Sequence, residues 1–160
     1  MSAGTPMGGV AGRLAELGIE LPPLVPAAPD HATAVRVGNM LYMSGNGPLD
    51  ARRVPVFKGK VGADLTEADG YAAARLTALN ILRAPQHELG DLDRIKRVVR
   101  ITGYVNVAPD FERMPWVVNG ASEVFKAVFG ERGDHARSTL GVASLALGMA
   151  CVIESVFEVE

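Results

Sequence analysis

At Thr66 the hydrophobic period of this chain changes from that of strands to that of a helix, and few folds accommodate what lies on both sides. From Thr66 to His87 the residues Ala72, Leu76, Leu79 and Leu82 share one helical face, Thr66 with Asp69 forms a capping box, and Gly90 supplies a stop. A long amphipathic helix follows. Pro85 in its last turns is expected to kink it or end it early, because proline lacks the N–H and crowds the preceding turn. Upstream, Val35, Val37, Met40, Leu41, Tyr42 and Met43 flank Gly38-Asn39 and predict a hairpin of two short strands. Val54 to Val61 reads as a further strand at a sheet edge, since Pro55 cannot donate a ladder hydrogen bond.

Downstream the period returns to that of strands over Ile95 to Val107, closed by Pro109-Asp110. A second helix begins near Pro115, carries Val117, Ala121, Val124, Phe125 and Val128, and stops at Gly130. Arg137 to Val159 holds two strand-like runs bent at Leu147-Gly148. Near the amino terminus Val10 to Leu17 predicts one short helix ended by Gly18, and Pro22, Pro23, Pro26 and Pro29 then force an extended run. The order β-β-β-α-β-α-β-β predicts an α+β fold, a mostly antiparallel sheet with two long helices packed on one face. Because the strands near Arg97 to Val107 and Leu140 to Phe157 are apolar on both alternations, the second face of that sheet needs covering, and self-association is the simplest cover.

With 160 residues, 48% hydrophobic and 21% charged, the chain can bury one sizeable core, so a single domain is expected. A net charge of -2 supplies no field for nucleic acid or an anionic membrane, and neither partner is expected. Cys151 is the only cysteine, which excludes an internal disulfide and a cysteine zinc site and fits a reducing cytoplasm. Met1 to Val10 is Gly-rich, with neither the basic leader nor the apolar core of a secretory signal, and no apolar run reaches membrane-spanning length. A soluble cytoplasmic protein is the expectation.

Three segments carry a likeness. Gly38-Asn39-Met40 leads to Ser44-Gly45, Val118-Asn119-Gly120-Ala121-Ser122-Glu123-Val124-Phe125 follows, and Ala136-Arg137-Ser138-Thr139-Leu140-Gly141-Val142-Ala143-Ser144-Leu145 completes the set. In order and spacing together these resemble the RidA/YjgF family, in particular its YjgF-like endoribonuclease subgroup, over about Pro29 to Glu160. The resemblance implies one RidA/YjgF-like domain over 1–160, with 1–30 as an N-terminal extension containing the short helix. It also implies a chorismate-mutase-like fold and a homotrimer with clefts between subunits. Better-known relatives hydrolyse reactive 2-aminoacrylate-type enamines and imines to keto acids and ammonia, and some others have been called ribonucleases. No cofactor and no metal is implied.

By the same resemblance Arg137 takes the substrate-carboxylate position, a role suited to a guanidinium that clamps a carboxylate with two parallel hydrogen bonds. The alternative is a solvated arginine at a strand start. Ser44 and Gly45 lie where a strand yields to a loop, so they either anchor an oxyanion through a freed backbone N–H or form an ordinary turn. Asn119 and Glu123 project from one helical face, with Asn119 assigned to the site by its motif. Thr139 stands where the deaminases often have cysteine, and its hydroxyl still donates a hydrogen bond. His31 falls where many relatives have tyrosine and is either a neutral-pH acid-base group or an exposed loop histidine.

The same alignment puts Val152 where the better-known deaminases carry a water-activating glutamate, with Glu154 two residues further on. Three functions stand at this point: imine hydrolysis with Arg137 and His31 as catalytic groups; a trimer that binds a small keto or imino acid without turning it over; and a ribonuclease. The basic set Arg94, Lys96, Arg97 and Arg100 lacks interleaved aromatics for base stacking and reads as charge at the exposed end of a strand. His87 and His135 lack partners at metal-ligand spacing and read as surface or structural, and Cys151 in its apolar strand reads as a buried small hydrophobe.

Overall fold

A computed structural model describes residues 8–160. The reading of the leader over Met1 to Met7 lies outside them. Helix α1 spans Gly9–Glu16 and buries Val10 and Leu14, while Gly18 at φ 63° ends it. The Val10 N–H donates to the Asp93 carboxylate at 3.0 Å, and the Arg13 Nε donates to the Ala127 carbonyl at 2.9 Å, so α1 is tied down at both ends.

Strands β1 (Ala34–Val37) and β2 (Met40–Asn46) form the expected hairpin about Gly38, which turns at φ 60°. Helix α2 spans Glu67–Leu89 with both halves of the Thr66/Asp69 capping box made, and Gly90 closes it in the left-handed conformation. Pro85 does not end the helix. It lies one turn from the end, where a single backbone bond is forgone, and the Gly90 N–H to Gln86 carbonyl bond completes the last turn. Strand β3 (Ile95–Asn106), helix α3 (Met114–Phe129), β4 (Ala136–Val142) and β5 (Cys151–Val159) complete the order.

The expected strand over Val54 to Val61 does not form. Its residues make only isolated bridges, Leu49 to Pro55, Lys58 to Met149, and Val61 to Leu65 and Val107. Two features account for this: Pro55 offers no N–H, and Arg53 and Gly59 hold positive φ on either side of it. The segment folds instead as a tight loop, with the Val56 N–H on the Pro48 carbonyl and the Asp50 carboxylate accepting from the Arg52 and Val54 N–H groups.

One five-stranded sheet results, in the order β1-β2-β5-β3-β4. Its pairings are antiparallel except β3 with β4, which are parallel because α3 provides the crossover between them. Both long helices cover one face. Val118 of α3 occupies the space where a Cβ on Gly103 would stand, Phe125 meets Phe157 edge to face at 6.1 Å, and Thr77 of α2 contacts Cys151. On that face Ile101, Val105, Ile153 and Phe157 are fully buried. On the opposite face Tyr42 is 48% exposed, and Val152 and Val156 are half-buried. Val35 and Val37 on β1 and Leu140 on β4 are exposed as well.

Candidate functional site

The crossover β3-α3-β4 brings helix α3 alongside the edge strand β4, and this sets the position of Arg137. Alternation along β4 turns Arg137 and Thr139 to the side of the sheet that faces α3, where Arg137 is half-buried. Its Nη1 donates to the Asn119 Oδ1 at 2.8 Å and to the Ser122 Oγ at 3.1 Å. Asn119 and Ser122 are three apart on one helix, so a single face of α3 presents both acceptors. Among the described residues no hydrogen bond engages Nε or Nη2, which leaves that edge of the guanidinium for a ligand. Burial pulls the Arg137 pKa below the ordinary arginine range, although the group stays cationic at neutral pH.

His135 completes the cluster. Its Nδ1 lies 2.6 Å from the Gly133 carbonyl oxygen and its Nε2 2.9 Å from the Ser122 Oγ. A carbonyl only accepts, so Nδ1 carries the proton, and in the neutral ring Nε2 accepts from the Ser122 hydroxyl. Burial is the main cause holding this histidine below its ordinary pKa; the Gly133 bond opposes it, and Arg137 and Lys126 act in the same direction as burial. Lys126, ion-paired with Asp134 at 3.0 Å, and Glu123 flank the same cleft. Glu123 does not reach Arg137. Its carboxylate accepts from the Tyr71 hydroxyl of α2, and that bond raises the tyrosine pKa.

Ser44, Gly45 and His31 lie in a different cavity. It has a volume of about 440 Å³, and Arg53, Leu147, Met149 and Val152 line it too. The sheet order puts β5 and β3 between β2 and β4, a lateral separation of about 14 Å at the usual strand spacing. Ser44 and Gly45 fall in a break of register between β2 and β5, and a Cβ on Gly45 would come within 2.9 Å of the Val152 Cγ1. Ser44 is held by the extended run before β1: its Oγ donates to the Ala32 carbonyl at 2.6 Å, and its N–H donates to the Thr33 carbonyl. His31 is exposed at the rim. Arg53 and Leu147, the non-glycine residues with positive φ among the described residues, both line this cavity.

The model of the YjgF/chorismate_mutase-like, putative endoribonuclease family matches residues 11–159. The chain belongs to the RidA/YjgF family. Protein TCP17 of Trypanosoma cruzi is 41% identical over 94% of each chain. Among solved structures, Atu1372 of Agrobacterium tumefaciens, described as a protein of unknown function, is 37% identical with a TM-score of 0.84, covering 94% of this chain and 91% of its own. A putative endoribonuclease from Shewanella oneidensis is 32% identical with a TM-score of 0.89, covering 95% and 100%.

Within this RidA/YjgF chain, Arg137 and Asn119 meet directly, Thr139 shares their side of the sheet, and Ser44, Gly45 and His31 gather elsewhere. Sequence reasoning gave Ser122 no role within its motif and read His135 as surface or structural, so neither was expected in the site. The signals were nonetheless present: Ser122 follows Asn119 by three on a helix and His135 precedes Arg137 by two, the spacings that put side chains on one face of each element.

Proposed function

We propose that the chain hydrolyses small 2-imino acids, of the 2-aminoacrylate type, to keto acids and ammonia. The observation that carries this reading is the Arg137 guanidinium. Asn119 and Ser122 hold it by one nitrogen and leave the other edge for a carboxylate. Preorganisation of this kind supports anion binding because the side-chain entropy is already spent before the ligand arrives.

In this reading three copies assemble through the open sheet face, and each site joins two halves. One copy contributes Arg137, Asn119 and Thr139; its neighbour contributes Ser44, Gly45 and His31. The separation of the two sets within one chain and the exposed Val35, Val37, Tyr42 and Leu140 support that arrangement. A place in the cytoplasm fits the single buried cysteine, whose thiol is pushed up to about 12 by burial and is unreactive.

A second reading is favoured by one specific observation: the side chain on the sheet beside Gly45 is the apolar Val152, at a position where the family resemblance implies a glutamate in better-known relatives. A trimer that binds a small keto or imino acid without turnover fits that replacement. Incubation with freshly generated 2-aminoacrylate separates the two. Keto acid formed above the spontaneous rate and lost in Arg137→Ala supports hydrolysis. Arg137-dependent binding of pyruvate with no acceleration supports the binding protein. RNA cleavage that survives rigorous removal of contaminating nuclease would displace both.

A further inference from the structure

We propose that Ser122 and His135 form the proton relay of this site, supplying the acid-base function that Val152 cannot; this rests on the imine-hydrolase reading above. The two side chains stand in the arrangement of an activated hydroxyl. The Ser122 Oγ lies 2.9 Å from the His135 Nε2, and the ring is oriented from behind by the Gly133 carbonyl at 2.6 Å on Nδ1. The Phe125 ring meets the imidazole edge to face at 5.9 Å and fixes its plane. Arg137 donates to that same Ser122 oxygen at 3.1 Å, so the hydroxyl sits directly beside the group that holds the substrate carboxylate.

Oxygen valence makes the assignment specific. Ser122 accepts from Arg137 and donates to His135, and one lone pair remains for a water molecule. That water is placed next to a carboxylate held on Arg137. When it attacks the carbon of the protonated imine, the C–O bond forms and the C=N π pair moves to nitrogen. The water proton goes to the Ser122 oxygen as the Ser122 proton passes to Nε2, leaving a carbinolamine and an imidazolium. The return transfer protonates the amine nitrogen, the C–N bond breaks with its pair on nitrogen, and the oxygen lone pair closes the carbonyl. The released ammonia takes up the hydroxyl proton. The sum is iminium plus water giving keto acid plus ammonium.

A neutral ring is required at the start. Arg137 on β4, Lys126 on α3 and burial all oppose its protonation, while Asp134 and the Gly133 carbonyl favour it, and the balance keeps it a base near neutral pH.

The test combines kinetics with ring NMR on the full chain. With 2-aminoacrylate generated in place, His135→Gln and Ser122→Ala are each expected to lower kcat by about a hundredfold or more, with the double variant no worse than either. The acid limb of the wild-type kcat profile is expected to follow the NMR titration of the His135 ring, identified among three histidines by its absence in His135→Gln. Saturating pyruvate should raise that titration point, because a carboxylate on Arg137 offsets its charge.

If turnover is Arg137-dependent while both variants retain kcat within about threefold and the acid limb persists in His135→Gln, the relay is wrong and the hydrolase reading stands. If the wild type never exceeds the spontaneous rate, the hydrolase reading falls and the relay with it. If a variant loses turnover and also its cooperative thermal transition, the wild-type ring titration decides in its place. A wild-type ring that ignores bound pyruvate overturns the relay.

Discussion

At the scale of single residues, Arg137 and His135 show how one side chain acquires meaning from its neighbours. A lysine at 137 keeps the charge and loses the planar fork. Arg137→Lys is therefore expected to weaken pyruvate binding by about tenfold or more, a charge-assisted hydrogen bond of roughly 1.5 to 3 kcal/mol being lost. Titration calorimetry measures this. The melting temperature should hardly move, because the side chain is half-buried and serves the cleft more than the core.

His135 also makes stability depend on pH. Its folded-state pKa is depressed, so the unfolded chain binds the proton more readily than the native one. The native state therefore keeps its full stability above the unfolded pKa of about 6.5 and loses stability as pH falls from there through the folded value. Urea midpoints compared between wild type and His135→Gln isolate the effect: the variant should lose the part of the slope that lies below about pH 6.5.

At the scale of elements, the two long helices were legible because each is written locally. The Thr66/Asp69 box and Gly90 fix the ends of α2 by bonds spanning three or four residues. Thr66→Ala should cost about 1 kcal/mol, read as a lower denaturant midpoint with unchanged slope. The crossing of α2 and α3 is less local. A Cβ on Gly120 would stand 2.2 Å from the Tyr71 carbonyl oxygen, so the helices approach backbone to side-chain position with no room for a methyl group. Gly120→Ala is expected to destabilise by roughly 1 to 3 kcal/mol through overpacking, despite alanine being the better helix former. The segment Val54 to Val61 misled for the converse reason. Valine-rich composition suits a strand, but Val54 and Val56 stay exposed, and a loop set by Arg53, Pro55 and Gly59 overrides propensity.

At the scale of the whole molecule, the open sheet face is the surface through which the proposed trimer would assemble. Val37 is 62% exposed on a strand that already pairs on only one side. Replacing Val37 and Tyr42 together with lysine would put like charges on that face and should shift the sedimenting species from roughly three times the 16.9 kDa chain toward one copy. The same change should abolish 2-aminoacrylate turnover even with Arg137 and His135 intact, because the proposed site joins halves from different copies. Retained turnover in a proven monomer would remove the composite site.

The sequence alone determined the helices and all but one of the expected strands, the two-helix face, the family likeness and the candidacy of Arg137 and Asn119, because caps, periods and short motifs are readable within a few residues. Only the tertiary structure decided that Ser122 and His135 join Arg137, since their meeting depends on how α3 lies along β4, and that Ser44, Gly45 and His31 gather at a separate cavity, with β5 and β3 lying between β2 and β4. The loop at 54–61 takes its shape from Pro55 and the positive φ of Arg53 and Gly59, and long-range bonds such as the Gly59 N–H to the Gly148 carbonyl seat it on the fold. Side chains far apart in the chain become neighbours only through packing, and packing is a property of the folded whole.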